Sequence, residues 1–304
     1  MSANLETLQK QISSGEDLSS IVRTMKALAA TSVRQYEKAA ESLDDYYHTV
    51  ELGLSVALAK RQETAARSKL TGESRSLLVV FGSDHGLAGR FNEQIVDYTL
   101  EDYWFDAESN QNKKTIPAKS VLAAVGEQVV TRLKGAGIEL IQALNMPSSI
   151  KAITPFIQQL LENIEQWRNA EGVEKVLLFY NRPISGGFEP RAEILLPVDL
   201  SWLHETRLNW QSRSIPTYTI PTEQLLSALL RQYFFVSLYR ACALSLAAEN
   251  SSRLAAMQAA EKNINERLDE LKTAYQQERQ AAITEELLDI ISGFRAVSSI
   301  LSPG

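Results

Sequence analysis

The sequence predicts an α/β fold of a particular build, a small α/β domain inserted between two long helices drawn from the N- and C-terminal ends of the chain. Three observations predict it. Between Pro221 and Gly293 lie 71 residues without a single Gly or Pro. From Leu18 onward, apolar and small residues recur at a spacing that alternates four and three. Between these ends, short apolar runs alternate with amphipathic stretches, the pattern of a mostly parallel sheet with helices on its faces.

The N-terminal helix, assigned to residues 1–65, carries the seam Met25, Ala29, Ser32, Tyr36, Ala39, Leu43, Tyr46 and Val50. A 3.5-residue repeat sustained over more than three heptads winds one helix around another in a left-handed coil. Ala and Ser at several seam positions let the partner come close. Gly15, in "SSGEDLSS", predicts a kink or interruption, with Asp17 or Ser14 capping the restart.

The inserted domain is assigned to residues 75–200. Here "SLLVVF" and "SVLAAV" read as buried strands, and "GIELIQAL", "KVLLFYN" and "AEILLPV" as three more. Helices are predicted at "GRFNEQIVDYTLEDYWF" and "PFIQQLLENIEQW", which makes the domain Rossmann-like. "AESNQNKKTIPAKS" and "SWLHETRLNWQSRSIP" read as loops.

The C-terminal helix is assigned to residues 221–300. Its Gly- and Pro-free stretch would be ~107 Å long at about 1.5 Å per residue, against roughly 30 Å for a compact domain, so it is expected to protrude as a shaft. A seam at Met257, Ile264, Leu268, Leu271 and Tyr275, resuming through Ala282, Leu287 and Ile290, predicts antiparallel pairing with the N-terminal helix.

Composition narrows the function classes. A formal charge of −6 and a pI near 5.3 argue against a nucleic-acid surface. The one cysteine, Cys242, sits among helix-forming apolar residues in "SLYRACALSL", has no intramolecular disulfide partner, and reads as a buried thiol in a reducing compartment. No apolar run approaches the roughly 18 residues of a membrane span, so no direct span is expected. The start "MSANLETLQKQ" resembles neither a signal peptide nor a transit peptide, which points to a bacterial or archaeal cytoplasm.

"VVFGSDHGLAGRFN", Val79 to Asn92, poses the main chemical question. Its glycines, Gly82, Gly86 and Gly89, are spaced G-x3-G-x2-G. A dinucleotide site needs G-x-G-x-x-G, and a P-loop needs a Lys after its last Gly, where Arg90 and Phe91 stand here. Asp84 would put a negative charge at the helix N-terminus that a phosphate would use. A structural strand-to-helix turn fits better than a phosphate cradle. Asp84 and His85 are adjacent, but no nucleophile is placed by a known spacing. Three scattered histidines, His48, His85 and His204, and one cysteine make no metal-ligand cluster. Glu285, Glu286 and Asp289 read as a solvated helix face. The residues alone point to no active site and no cofactor.

"RQAAITEELLDIISG" resembles the C-terminal signature of the gamma subunit of F-type ATP synthases, [IV]-T-x-E-x2-[DE]-x3-G-A, through Ile283, Thr284, Glu286, Asp289 and Gly293. "AAENSSRLAAMQAAEKN" resembles the same family's SE-x-x-AR-x-x-AM-x-x-A-x-x-N through Glu249, Arg253, Ala256, Met257, Ala260 and Asn263. "RTMKALAATSVRQYEKA" is similar to its N-terminal KAMKMVAASKLRRAQ, and the turn to its SDRGLCGGFN through Ser83, Asp84, Gly86, Leu87, Gly89, Phe91 and Asn92. "EILLPVDL" supplies the family's LLP at Leu195 to Pro197.

The resemblance implies a non-catalytic central-stalk rotor between a membrane c-type ring and the hexamer of alpha and beta subunits, where the nucleotides are held. An asymmetric shaft cannot contact three identical beta subunits alike, so it biases each toward a different state. The epsilon subunit is a further implied partner. Arg253, Gln280, Thr284 and Glu286 match positions that contact beta in the family, as do Met25 and Lys26 in the N-terminal segment. Met25 reads equally as seam packing. Ser83, Asp84, Gly86, Gly89, Phe91 and Asn92 match a turn placed at the stalk's foot near the ring and epsilon. His85, Ala88, Arg90, Glu285 and Phe294 depart from the family pattern, which implies a divergent branch. The alternative is a stand-alone α/β nucleotide-binding regulator or enzyme with a coiled-coil arm.

Overall fold

The computed structural model describes residues 2–59, 75–101, 120–198 and 217–300. Both stretches expected as loops lie outside these residues, apart from Ser120. The elements in order are α1 (Ser2–Glu41), α2 (Asp44–Ala59), β1 (Arg75–Phe81), α3 (Phe91–Thr99), β2 (Val121–Val125), α4 (Glu127–Gly135), β3 (Leu140–Leu144), α5 (Ile150–Glu171), β4 (Val173–Ile184), β5 (Gly187–Leu196) and α6 (Thr222–Ile300). The chain divides into two compact units, Ala29–Leu254 and Met1–Leu28 with Ala255–Gly304.

The unit Ala29–Leu254 is built on a five-stranded sheet in the order β3-β2-β1-β4-β5. The first three pairings are parallel and β4·β5 is antiparallel. The five expected strands are therefore all present. β1 is buried on both faces and its side chains alternate between two cores. Leu77, Val79 and Phe81 face Ile153, Ile157 and Leu160 of α5 together with Leu238, Ala241 and Leu246 of α6. Leu78 and Val80 face Ile95 of α3 and Val129 and Leu133 of α4. An all-apolar run such as "SLLVVF" is what a parallel strand covered on both sides requires. Cys242 is fully buried in the first core, and burial pushes its thiol well above the usual range.

The seam through Leu43 predicts one N-terminal helix, but α1 stops at Glu41 and α2 starts at Asp44. Ser42 Oγ donates to Ala39 O at 2.9 Å and Leu43 N–H to Ala40 O at 3.2 Å, closing the first helix in a tight turn. Asp44 and Asp45 then occupy the first turn of α2, where their charge complements the helix dipole. The break rotates the register, so Tyr46 is 43% exposed and Tyr47 packs instead with Val50, Leu54, Leu226 and Tyr233.

The second unit is an antiparallel helix pair. Asn4 donates to Glu278 at 2.9 Å, Lys272 meets Glu16 at 2.8 Å, and Lys26 meets Glu261 at 2.5 Å. Met257 and Leu268 are buried in the seam, as expected. Three expectations fail for physical reasons. Gly15 does not interrupt α1, because its missing side chain makes room: a Cβ there would lie 2.7 Å from Leu268 Cδ2. Leu18 is 53% exposed, since the buried line of α1 here runs through Gly15, Ser19 and Val22. Leu287 and Ile290 are exposed at 55% and 63%; Asn4 already faces Glu278, so the register leaves no described residue of α1 opposite them.

Candidate functional site

The turn between β1 and α3 sits where the strand order reverses, between β1 and β4. At such a switch point an open α/β sheet has a crevice beyond its strand ends that takes ligands. Here the chain's own residues fill it. Phe91 and Asn181 are fully buried and Asn92 is 7% exposed. Asn181 Nδ2 donates to Phe91 O at 2.9 Å, which fastens the start of α3 to β4. Asn92 closes the turn on itself: its Oδ1 accepts from Ser83 N–H at 3.0 Å and its Nδ2 donates to Ser83 Oγ at 2.8 Å. Phe188 of β5 packs on Phe91 with ring centroids 5.5 Å apart.

The glycines serve this packing. A Cβ on Gly82 would stand 2.1 Å from Val129 Cγ2 and 2.9 Å from Asn92 Oδ1. Gly89 has φ +54°, a left-handed conformation that costs glycine nothing. The close approach is therefore between parts of the same chain, which leaves the phosphate-cradle reading and the nucleotide-binding alternative without support.

Asp84 does not serve the N-terminus of α3, where the sequence places its charge. Its carboxylate instead accepts from the backbone N–H of Glu127, at the first residue of α4, at 3.2 Å, and from Met146 N–H at 3.0 and 3.1 Å. His85 and Gly86 are exposed. Leu87 has φ +64° and is 61% exposed at the tip.

On its other side the turn meets α6. Ala88 packs against Ala248 and Phe91, Ser252 Oγ donates to Ala88 O at 2.6 Å, and Arg253 Nη2 lies 3.5 Å from Gly86 O. Arg253 is itself held, with a side chain 13% exposed, by Glu249 at 2.6 Å and Asn250 Oδ1 at 3.4 Å. Burial keeps the Glu249 carboxyl above its ordinary range, against the pull of Arg253. Arg253 and the turn, which the resemblance implies face different partners, are thus joined: Asp84, Gly86 and Gly89 reach the surface beside Arg253, whereas Ser83, Phe91 and Asn92 are buried as the packing beneath them.

The other expected contact residues lie in the helix pair. Lys26 and Arg23 both bridge to Glu261, at 2.5 and 3.0 Å, and Met25 is half-buried. Gln280, Thr284 and Glu286 are exposed, and Thr284 Oγ1 donates to Gln280 O at 2.9 Å. Around them Ile283, Leu287, Leu288, Ile290 and Ile291 are all 48–63% exposed. Among the described residues no three His, Cys, Asp or Glu side chains converge on a metal-sized site.

Glu249, Ser252 and Asn181 were not among the expected site residues. For Glu249 and Arg253 the signal was available: a carboxylate and a guanidinium four apart in "AAENSSRLAA", a helical stretch otherwise small and uncharged.

The ATP synthase family model matches residues 4–297. The ATP synthase gamma chain of Sulfurovum sp. (strain NBC37-1) is 27% identical, over 97% of this chain and 99% of its own. That of Ehrlichia canis (strain Jake) is 26% identical, over 97% and 100%. Among solved structures, the rotor of the Euglena gracilis mitochondrial ATP synthase superposes with a TM-score of 0.62 at 15% identity, covering 93% of this chain and 100% of that one. The central stalk of the Tetrahymena thermophila mitochondrial ATP synthase gives 0.57 at 21% identity, over 79% and 99%. At these identities the structural likeness concerns the fold. A match across nearly the whole sequence leads to one conclusion: the chain belongs to the gamma-chain family of ATP synthases, non-catalytic subunits of that complex.

Proposed function

We propose that this chain is the central-stalk rotor of a rotary, ion-translocating F-type ATP synthase or ATPase, carrying rotation between a membrane c-type ring and the alpha/beta hexamer. The observation that carries the reading is the band Ile283, Leu287, Leu288, Ile290 and Ile291 near the end of α6, half-exposed or more with no cover from α1. Five large apolar side chains within nine residues exceed the scattered exposure normal for a protein surface and mark a helix made to be enclosed by partners. Gln280, Thr284 and Glu286 lie in the same stretch and supply polar contacts to beta loops. Met25 and Lys26 contribute from α1, and Arg253 with Asp84, Gly86 and Gly89 of the turn, which Ser83, Phe91 and Asn92 support from within, forms a further partner surface, shared by the hexamer side and the foot with its epsilon subunit. No described helix is long and apolar enough to cross a membrane, in keeping with a peripheral subunit at the cytoplasmic face of a bacterial or archaeal membrane.

Glu286→Arg tests the contact. The residue is exposed and has no partner in its own helix pair that the charge reversal would break, so the isolated chain should unfold within about 0.5 kcal/mol of wild type. ATP turnover of the assembled complex should fall several-fold. Unchanged turnover would remove Glu286 from the contact surface.

A further inference from the structure

Leu87 is held in its left-handed backbone by α6, which grips the carbonyls on both sides of it. Gly86 O, before it, faces Arg253 Nη2 at 3.5 Å, and Ala88 O, after it, accepts from Ser252 Oγ at 2.6 Å. The same turn is tied to α4 and to the segment after β3 through Asp84, and to β4 through Asn181. Helix and sheet therefore meet in one hydrogen-bonded turn.

Elsewhere α6 rests on the sheet through apolar side chains, Leu238, Ala241, Cys242 and Leu246 among them, all 4% exposed or less. Apolar burial of this kind resists separation, but it is non-directional and gives little purchase against rotation of the helix about its own axis. Directional bonds at Ser252 and Arg253 supply that purchase. Glu249 is only 6% exposed, and a buried ion pair gains little stability over an apolar pair of the same volume. What the carboxylate does provide is orientation, since it holds at 2.6 Å the same nitrogen, Nη2, that faces Gly86 O at 3.5 Å, while Nη1 is held by Asn250 Oδ1 at 3.4 Å.

We propose that Glu249, Ser252 and Arg253 form a joint that locks α6 to the sheet through the two flanks of Leu87, so that torque passes between the helix and the α/β unit. Glu249 is its positioning residue and acts through Arg253. The joint rests on the rotor reading.

The test uses the complete complex in sealed vesicles, with ATP hydrolysis and ATP-driven ion uptake measured side by side. In Glu249→Gln, uptake per ATP hydrolysed should drop at least about twofold while hydrolysis persists, the result of loosening a charge-assisted bond in the torque path. In the isolated full chain, hydrogen exchange at the amides of Ser83 and Phe91, which donate within the turn at 3.0 and 3.2 Å, should quicken about tenfold. Ser252→Ala leaves no buried charge behind and so guards against misfolding; it should move both readouts the same way, by less. Faster exchange with an unchanged uptake-to-hydrolysis ratio in both variants would make the cluster merely structural and overturn the joint. A wild-type complex that does not couple uptake to hydrolysis would instead remove the rotor reading, and the torque path with it.

Discussion

Gly82 sets the tolerance of the turn. A methyl group there would enter the space of Val129 Cγ2 at 2.1 Å, and the neighbour is the β-branched end of a side chain buried under the sheet, with nowhere to swing. Gly82→Ala should cost about 1–3 kcal/mol by overpacking, read as a lower urea midpoint of the isolated chain. An unchanged midpoint would mean that Val129 has room the packing denies it. A second prediction at this scale concerns alkali. Burial raises the phenols of Tyr36, Tyr47, Tyr180, Tyr233 and Tyr239 above their ordinary 10.0 and the thiol of Cys242 above its ordinary 9.0. Above those ordinary values the unfolded chain gives up protons that the native state keeps, so the stability these groups contribute is intact below them and is lost as pH rises. The thermal midpoint should decline progressively above about pH 9, starting with the thiol and steepening past pH 10. A midpoint flat to pH 11 would contradict the burial of these groups. The role of Asp84 was not legible in the sequence, because it depends on backbone N–H groups 43 and 62 residues away.

At the scale of elements, the strands were legible because each is a short apolar run bounded by turn residues. α4 was not: "EQVVTRLKG" is nine residues long, too short for a periodicity to stand out, although Gly126 before it and Val129, Val130 and Leu133 on one face were its signal. The break between α1 and α2 was hidden because Leu43, Tyr46 and Val50 keep the heptad spacing across it, and only Asp44 and Asp45 announce a new helix start. The helix pair makes a sharp contrast along α6. Leu268, 7% exposed against Gly15, should cost about 2–4 kcal/mol when changed to Ala, whereas Leu287, 55% exposed, should cost no more than about 0.5 kcal/mol in the isolated chain. Thermal melts followed by helical signal compare the two. Equal effects would show that the seam does not end where the register of α1 and α6 places its end.

For the whole molecule, family membership was legible because its matching residues are spread from Arg23 to Gly293 in order, and the match over residues 4–297 agrees. What no linear reading could reach is that Arg253 and the turn, 167 residues apart, are joined. Contacts of that separation are fixed by how the sheet stacks on α6 and leave no periodic trace. The central claim, that this chain is the rotor of a hexamer, is tested most directly by native mass and ATP hydrolysis of the complex formed when a tagged copy is expressed with its alpha and beta subunits. One copy of the chain per hexamer is expected, with hydrolysis that falls when the chain is omitted. A free monomer or homodimer, beside a hexamer whose activity is indifferent to it, would contradict the account.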